Sequence, residues 1–124
     1  MQNYFLVFVG GGIGAAARYW LSGWVPAKIQ SDLPVGTLTV NILGCFLIGF
    51  LMSAFEERFL AQPSMRVFLT IGILGGFTTF STFSFETVAL MRDGEVLFAT
   101  ANIVVSILTC IGGTAIGMYV GRLI

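Results

Sequence analysis

The residues of this chain able to do chemistry are concentrated in one run, Gly75 to Thr87, which reads GGFTTFSTFSFET. Thr78, Thr79, Ser81, Thr82 and Ser84 place five hydroxyls within seven residues, and Glu86 adds a carboxylate. Hydroxyls donate and accept hydrogen bonds, and a carboxylate accepts them or takes a proton or cation. The run lies inside an apolar segment. Polar groups there are costly unless they are paired or line a wet cavity, so the cluster points to a pathway or binding site. Phe80 and Phe83 are three residues apart and share a helix face. A phenyl ring has a partly positive edge, so ring edges interleaved with the donors of Ser81, Thr82 and Ser84 suit an anion without a fixed countercharge. The same pair also suits plain core packing.

Two other apolar segments carry polar groups at membrane depth. Asn41, with Thr37 and Thr39 a turn or less before it, brings an amide donor; Asn102, Ser106, Thr109 and Cys110 recur every three or four residues as a stripe. Such groups either tie helices together or line a narrow polar track. No basic residue lies mid-segment, so neutral donors of this kind favour a small, strongly hydrogen-bonding anion. Glu86 is the sole carboxylate within an apolar span, and a charge there costs about 2.5 to 3.5 kcal/mol on insertion scales. It is either a proton or cation site, or a near-interface group paired with a hydroxyl or Arg.

The elements that must position these residues follow from composition. The chain has 124 residues, 56% of them hydrophobic and 10% charged, with a mean hydropathy of +0.94. That describes an integral membrane protein, and the length accommodates about four helices of ~20 residues. The expected spans are residues 4–24, 35–55, 65–91 and 96–120, one all-α domain over residues 1–124, with short connections that make consecutive helices antiparallel neighbours. The net charge is zero and there is no basic face, which excludes nucleic acid as a partner and leaves membrane lipid as the surroundings. The chain has no His, which removes imidazole acid-base chemistry and argues against a transition-metal site. Cys45 and Cys110 fall in mid-segment and read as small apolar side chains. No Lys or Arg precedes the first apolar run, so it reads as a span and not as a secretory signal.

As one straight helix, residues 65–91 would be ~40 Å long against a ~30 Å hydrocarbon core. Their hydroxyls can bond the local backbone, which favours a break. A break would expose carbonyls around Gly75 to Thr79 and free amides around Ser81 to Ser84, beside each other, as in the discontinuous helices of transporters. A continuous helix with hydroxyls bonded one turn back is the alternative.

Cytoplasmic loops normally carry excess Lys and Arg, but here the two sides balance. Arg58, Arg66 and Arg122 face one side and Arg18, Lys28 and Arg92 the other. Either orientation should insert, which makes an antiparallel homodimer a candidate assembly. Arg18 itself reads as a snorkelling anchor or as the partner of a carboxylate or backbone oxygen. Glycines four apart, at Gly10 and Gly14, Gly72 and Gly76, and Gly113, Gly117 and Gly121, mark packing faces, within or between subunits. GGGIGA at Gly10 to Ala15 formally fits a dinucleotide fingerprint, but the strand and acidic partner that motif needs are missing.

GTLTVN at Gly36 to Asn41 followed by GGFTTFSTFSFE at Gly75 to Glu86 resembles the Fluc (CrcB) family of bacterial fluoride channels, and the four-span layout agrees over essentially the whole chain. The resemblance implies a dual-topology, antiparallel homodimer with two fluoride pores and a third helix broken mid-membrane. It implies a structural sodium ion on the two-fold axis, held by backbone carbonyls of Gly75 and Thr78 from both subunits. Phe80, Phe83 and Asn41 would contact fluoride, and Ser81, Thr82, Ser84, Asn102 and Ser106 would extend the track. The implied task is passive export of fluoride across the bacterial cytoplasmic (inner) membrane. The competing reading is a small multidrug-type, proton-coupled exporter, but the resemblance to that family would require an acidic residue in the first span, which has only Arg18. A non-conducting assembly subunit is a third reading. An enzyme is the least favoured, because Glu86 has no evident catalytic partner.

Overall fold

The computed structural model describes the backbone of residues 1–58 and 62–124, and the side chains of these except 57 and 58. Of the connection expected at residues 56–64, positions 59–61 therefore lie outside the described residues, as does the side chain of Arg58. Four helical stretches are long and apolar enough to cross a membrane: Gln2–Lys28, Val35–Glu56, Pro63–Arg92 and Val96–Leu123. The protein is an all-helical, multi-pass membrane protein.

Helix α1 (Gln2–Lys28) runs past its expected end because Pro26 is absorbed inside it. Proline lacks an N–H, so the carbonyl of Ser22 one turn earlier loses its ladder donor. Gly36 of α2 (Val35–Arg58) packs onto that carbonyl so closely that a Cβ would overlap it. The first connection is thus residues 29–34, shorter than the expected 25–34.

The third span is in two pieces, as the hydroxyl run suggests. Its first half, α3 (residues 63–77), opens with Pro63 in the first turn, where a missing N–H is harmless. It is wound as a π-helix over Val67–Leu74 and returns to α geometry at Gly75–Phe77. Nothing in the sequence announces the π winding. The Thr70 hydroxyl donates to the Arg66 carbonyl at 2.7 Å, the acceptor that the Thr70 amide would use in an α-helix. After two extended residues the second half, α4 (Phe80–Arg92), begins. The turn at Asp93 and Gly94, with Gly94 at φ 80°, leads into α5 (Val96–Leu123).

Consecutive helices do touch, as the short connections imply, but they do not make the largest contacts. The most extensive packing joins α2 to α5 and α1 to α3, which are parallel pairs. Glycine is the reason. A Cβ on Gly10 would sit 2.9 Å from the Phe68 carbonyl oxygen, and one on Gly14 would overlap that of Ile73. In the other pair, Gly117 faces the Phe46 carbonyl, and a Cβ on Gly121 would lie 2.6 Å from that of Phe50. Small residues let the backbones touch, the contact membrane helices rely on when lipid removes any hydrophobic drive between them. These faces are therefore used within the chain. Among the described residues the buried apolar core is Val25, Val40, Leu74, Phe77 and Ala99, and Leu74 and Phe77 lie just before the break in the third span.

Candidate functional site

The break consists of Thr78 (φ −84°, ψ 155°) and Thr79 (φ −150°, ψ 118°), both extended. Thr78 closes α3, its hydroxyl and its N–H both donating to the Leu74 carbonyl at 3.0 Å. Thr79 opens α4 as an N-cap: its hydroxyl accepts the Thr82 N–H at 3.2 Å and lies 3.1 Å from the Thr82 hydroxyl and 3.3 Å from that of Ser81. Extended residues in hydrocarbon need other partners for their backbone, and Asn41 provides them for Thr79. Its Nδ2 donates to the Thr79 carbonyl at 2.9 Å, and its Oδ1 accepts the Thr79 N–H at 2.9 Å. Asn41 thus clamps both backbone groups of one residue, Thr79, with half of its amide donors; the second Nδ2 hydrogen is left for another acceptor.

Arg18 reaches the same junction from α1, its Nε donating to the Gly76 carbonyl at 3.1 Å. This is the backbone-oxygen partner that was one of its two sequence readings. A cation at a helix C-terminus also complements the negative end of α3. The break brings two opposite helix poles together: the carbonyl end of α3, and the N–H end of α4, which attracts anions.

Beside the N-terminus of α4 lies a cavity of about 260 Å³ whose polar lining is Asn41, Thr78, Thr79 and Ser106, with Phe80 and Phe83 as its aromatic wall. The two rings are 5.3 Å apart between centroids and tilted by 49°, an arrangement intermediate between stacked and edge-to-face. No Asp, Glu, Lys or Arg lines the cavity. A small anion entering it would meet the remaining Asn41 amide hydrogen, the two rings and a positive helix pole, but no countercharge to hold it permanently. The hydroxyl protons of Thr78, Thr79 and Ser106 are already given to Leu74, Thr82 and Asn102.

Behind Phe83 runs a buried chain of hydrogen bonds. The Ser106 hydroxyl donates to Asn102 Oδ1 at 3.4 Å, Asn102 Nδ2 to the Thr87 hydroxyl at 2.9 Å, and Thr87 to the Phe83 carbonyl at 2.8 Å. Asn102 and Ser106 are therefore brought to the site, Ser106 in the cavity wall and Asn102 one step behind it. Thr87 is the residue that sequence reasoning missed. It stands at the end of the opening run, and its spacing of four from Phe83 was the available signal.

Other predicted residues go elsewhere. Ser81 and Ser84 are exposed on the chain's own surface, Thr82 is half-buried in the cap, and Phe80 is 79% exposed although it borders the cavity. The fourth-span stripe divides: Thr109 turns with Thr39 into a separate groove on the α2–α5 pair and bonds back to the Val105 carbonyl, so neither lines the cavity with Asn41. A helix turns 100° per residue, which separates Thr109 from Ser106 and Cys110 more than the spacing alone implied. Glu86 faces the connection between α1 and α2, in a cavity of about 320 Å³ shared with Asp32 and Asp93. Its Oε1 is buried without a hydrogen-bond partner, and the buried Thr37 is the neighbouring hydroxyl. Gly75 and Thr78 share the lining of a further cavity of about 200 Å³.

Residues 5–118 match the family described as CrcB-like protein, Camphor Resistance (CrcB). The chain is 46% identical over 124 residues, the whole of both chains, to a protein of Geotalea daltonii named fluoride-specific ion channel FluC. It is 45% identical over 122 residues (98% of each chain) to the protein of that name from Geotalea uraniireducens, and 44% identical over 117 residues (94% of each) to that of Pyrococcus horikoshii. With the family matched over nearly its full length and relatives this similar from end to end, the chain belongs to the CrcB family.

Proposed function

We propose that the protein is a fluoride-selective channel that lets fluoride leave the cytoplasm passively across the bacterial inner membrane. The observation that carries this reading is the neutral cavity at the helix break, where the remaining Asn41 amide hydrogen, the Phe80 and Phe83 rings and the α4 N-terminus converge. Its residues fit a compact anion that forms strong hydrogen bonds, and the relatives' name, fluoride-specific ion channel, supplies the identity of that anion. Polarised ring edges and neutral donors bind firmly enough for entry and weakly enough for release, as conduction requires. The multidrug-exporter reading finds no support here, since the one intramembrane carboxylate, Glu86, opens on a different cavity from Asn41.

The channel is proposed to work as an antiparallel homodimer. The exposure of Phe80, Ser81 and Ser84 on the single chain supports this, because such a polar and aromatic strip facing lipid is costly until a second copy covers it. The glycine faces are already occupied within the chain, which leaves this strip as the natural contact. Gly75 is exposed near it and shares a cavity lining with Thr78. The carbonyls at this helix end lack a following turn, and among the described residues no group of three or more His, Cys, Asp or Glu stands together. An all-carbonyl donor set of this kind suits a hard monovalent cation, so Gly75 and Thr78 would hold the sodium ion. When bound, sodium would offset the negative end of α3 and join the two copies.

Efflux from liposomes tests the activity. Vesicles loaded with fluoride should empty through the reconstituted protein while chloride-loaded vesicles retain their content; comparable chloride release would overturn the assignment. Tags at the carboxyl terminus should be accessible from both sides of the membrane in whole cells, and a single sidedness would defeat the antiparallel assembly.

A further inference from the structure

The two cysteines are chemistry-bearing residues that the proposed function does not use. Cys45 lies one turn beyond Asn41 on α2, and Cys110 one turn beyond Ser106 on α5. Both line the cavity that holds Asn41, Phe80 and Phe83. Both are free thiols, half-buried, on the two helices α2 and α5 that pack most extensively against each other. The pair is held close just there: a Cβ on Gly113, one turn past Cys110, would lie 3.4 Å from the Ile42 carbonyl oxygen. Cys45 also lines the cavity of Gly75 and Thr78, so it stands in the wall between the two proposed ion sites.

We propose that Cys45 and Cys110 form a two-thiol binding site for soft divalent cations of the mercury(II) class, and that its occupancy closes the anion pathway. Softness selects sulfur, and a linear two-coordinate ion needs only the two ligands present. Zinc would need four, and among the described residues no group of three or more His, Cys, Asp or Glu is available. Binding from mercuric chloride breaks two mercury–chloride and two S–H bonds, forms two mercury–sulfur bonds and releases two chloride ions and two protons, with no change in oxidation state. The bis-thiolate complex of a divalent ion is neutral, which a site at membrane depth favours over a charged one. It ties α2 to α5 and puts a heavy atom beside Phe83 and Ser106, where the anion would pass.

The block rests on the channel reading; the binding does not, and the two are measured separately. Purified protein is titrated with mercuric chloride, bound mercury is counted by mass spectrometry and free thiols are counted after denaturation. The expected result is one mercury per chain with both thiols consumed, retained through a wash with a competing monothiol, because the second sulfur acts at high effective concentration. Cys45→Ala and Cys110→Ala should each lose the ion in that wash. Two mercury ions per chain, or equal retention by the single-cysteine variants, would overturn the site. In liposomes, mercury should stop fluoride efflux in the wild type and a dithiol should restore it, while washed variants keep their own untreated rate. Persisting efflux with one mercury bound per chain would overturn the closure. Untreated protein that passes no fluoride would instead refute the channel reading, with the mercury count still deciding the site.

Discussion

The two halves of the third span are built on opposite principles. The first half, α3, is fixed by backbone contact: Gly72 and Gly76 lie against Gly10 and Gly11 of α1, with no room for a side chain between them. The second half, α4, is held by polar tethers, the Asn41 clamp and Thr79 cap at its start and the Thr87–Asn102–Ser106 chain along its side. One half is a post and the other a polar wall facing an open strip. Packing can fix a helix without specifying chemistry; hydrogen bonds fix one and present donors to a cavity at the same time.

This contrast can be broken or sharpened by substitution, beginning with the largest effect. Gly14→Ala drives a methyl into the Ile73 carbonyl, whereas Gly12, two residues earlier, has open space around it. Overpacking of this kind costs about 1–3 kcal/mol or more, so Gly14→Ala should lower the yield and melting temperature of detergent-purified protein while Gly12→Ala leaves both unchanged. Equal behaviour would show that α3 is not held by close packing. Next, Asn41→Asp sets a carboxylate oxygen against the Thr79 carbonyl and removes the amide donors. Fluoride efflux should fall about 100-fold, the factor that ~2.7 kcal/mol of lost stabilisation gives; a wild-type rate would dispose of the clamp.

A smaller loss is expected from Thr87→Val, which strands the Asn102 amide in a buried site at about 1–3 kcal/mol. It should lower thermal stability, and restoring the hydroxyl with Ser at the same position should recover most of it. Thr109→Val is the control with the least effect. Its hydroxyl serves only the Val105 carbonyl in a groove apart from the cavity, so efflux and stability should both stay at wild-type levels. A large loss of efflux there would place the pathway on the wrong face of α5.

Much of this was legible in the residues. Four spans followed from hydropathy, whereas the hydroxyl run left a broken and a continuous third helix both open, and the family resemblance pointed to the break. Asn41, Phe80, Phe83 and Ser106 converge because the run, the second-span amide and the fourth-span stripe each had a recognisable period or position. Three features were not legible. The parallel pairing of α1 with α3 and of α2 with α5 depends on which glycine faces meet, and four-residue spacing marks a face without naming its partner. The π winding at Val67–Leu74 depends on a one-residue change in hydrogen-bond partner that no residue type encodes. The separation of Thr109 and Thr39 from the cavity depends on helix rotation, which a stripe with three- and four-residue steps leaves ambiguous.

The central claim is that the anion passes at the helix break, against the rings that border it. Phe80→Ile tests it most directly, since the ring is 79% exposed in the chain and its loss removes the aromatic edge while leaving the Asn41 clamp and the glycine packing in place. Fluoride efflux should be measured with an ion-selective electrode on vesicles holding equal amounts of folded wild-type and variant protein. Near-complete loss of fluoride efflux in Phe80→Ile is the predicted result; efflux at the wild-type rate would contradict a pathway at the break.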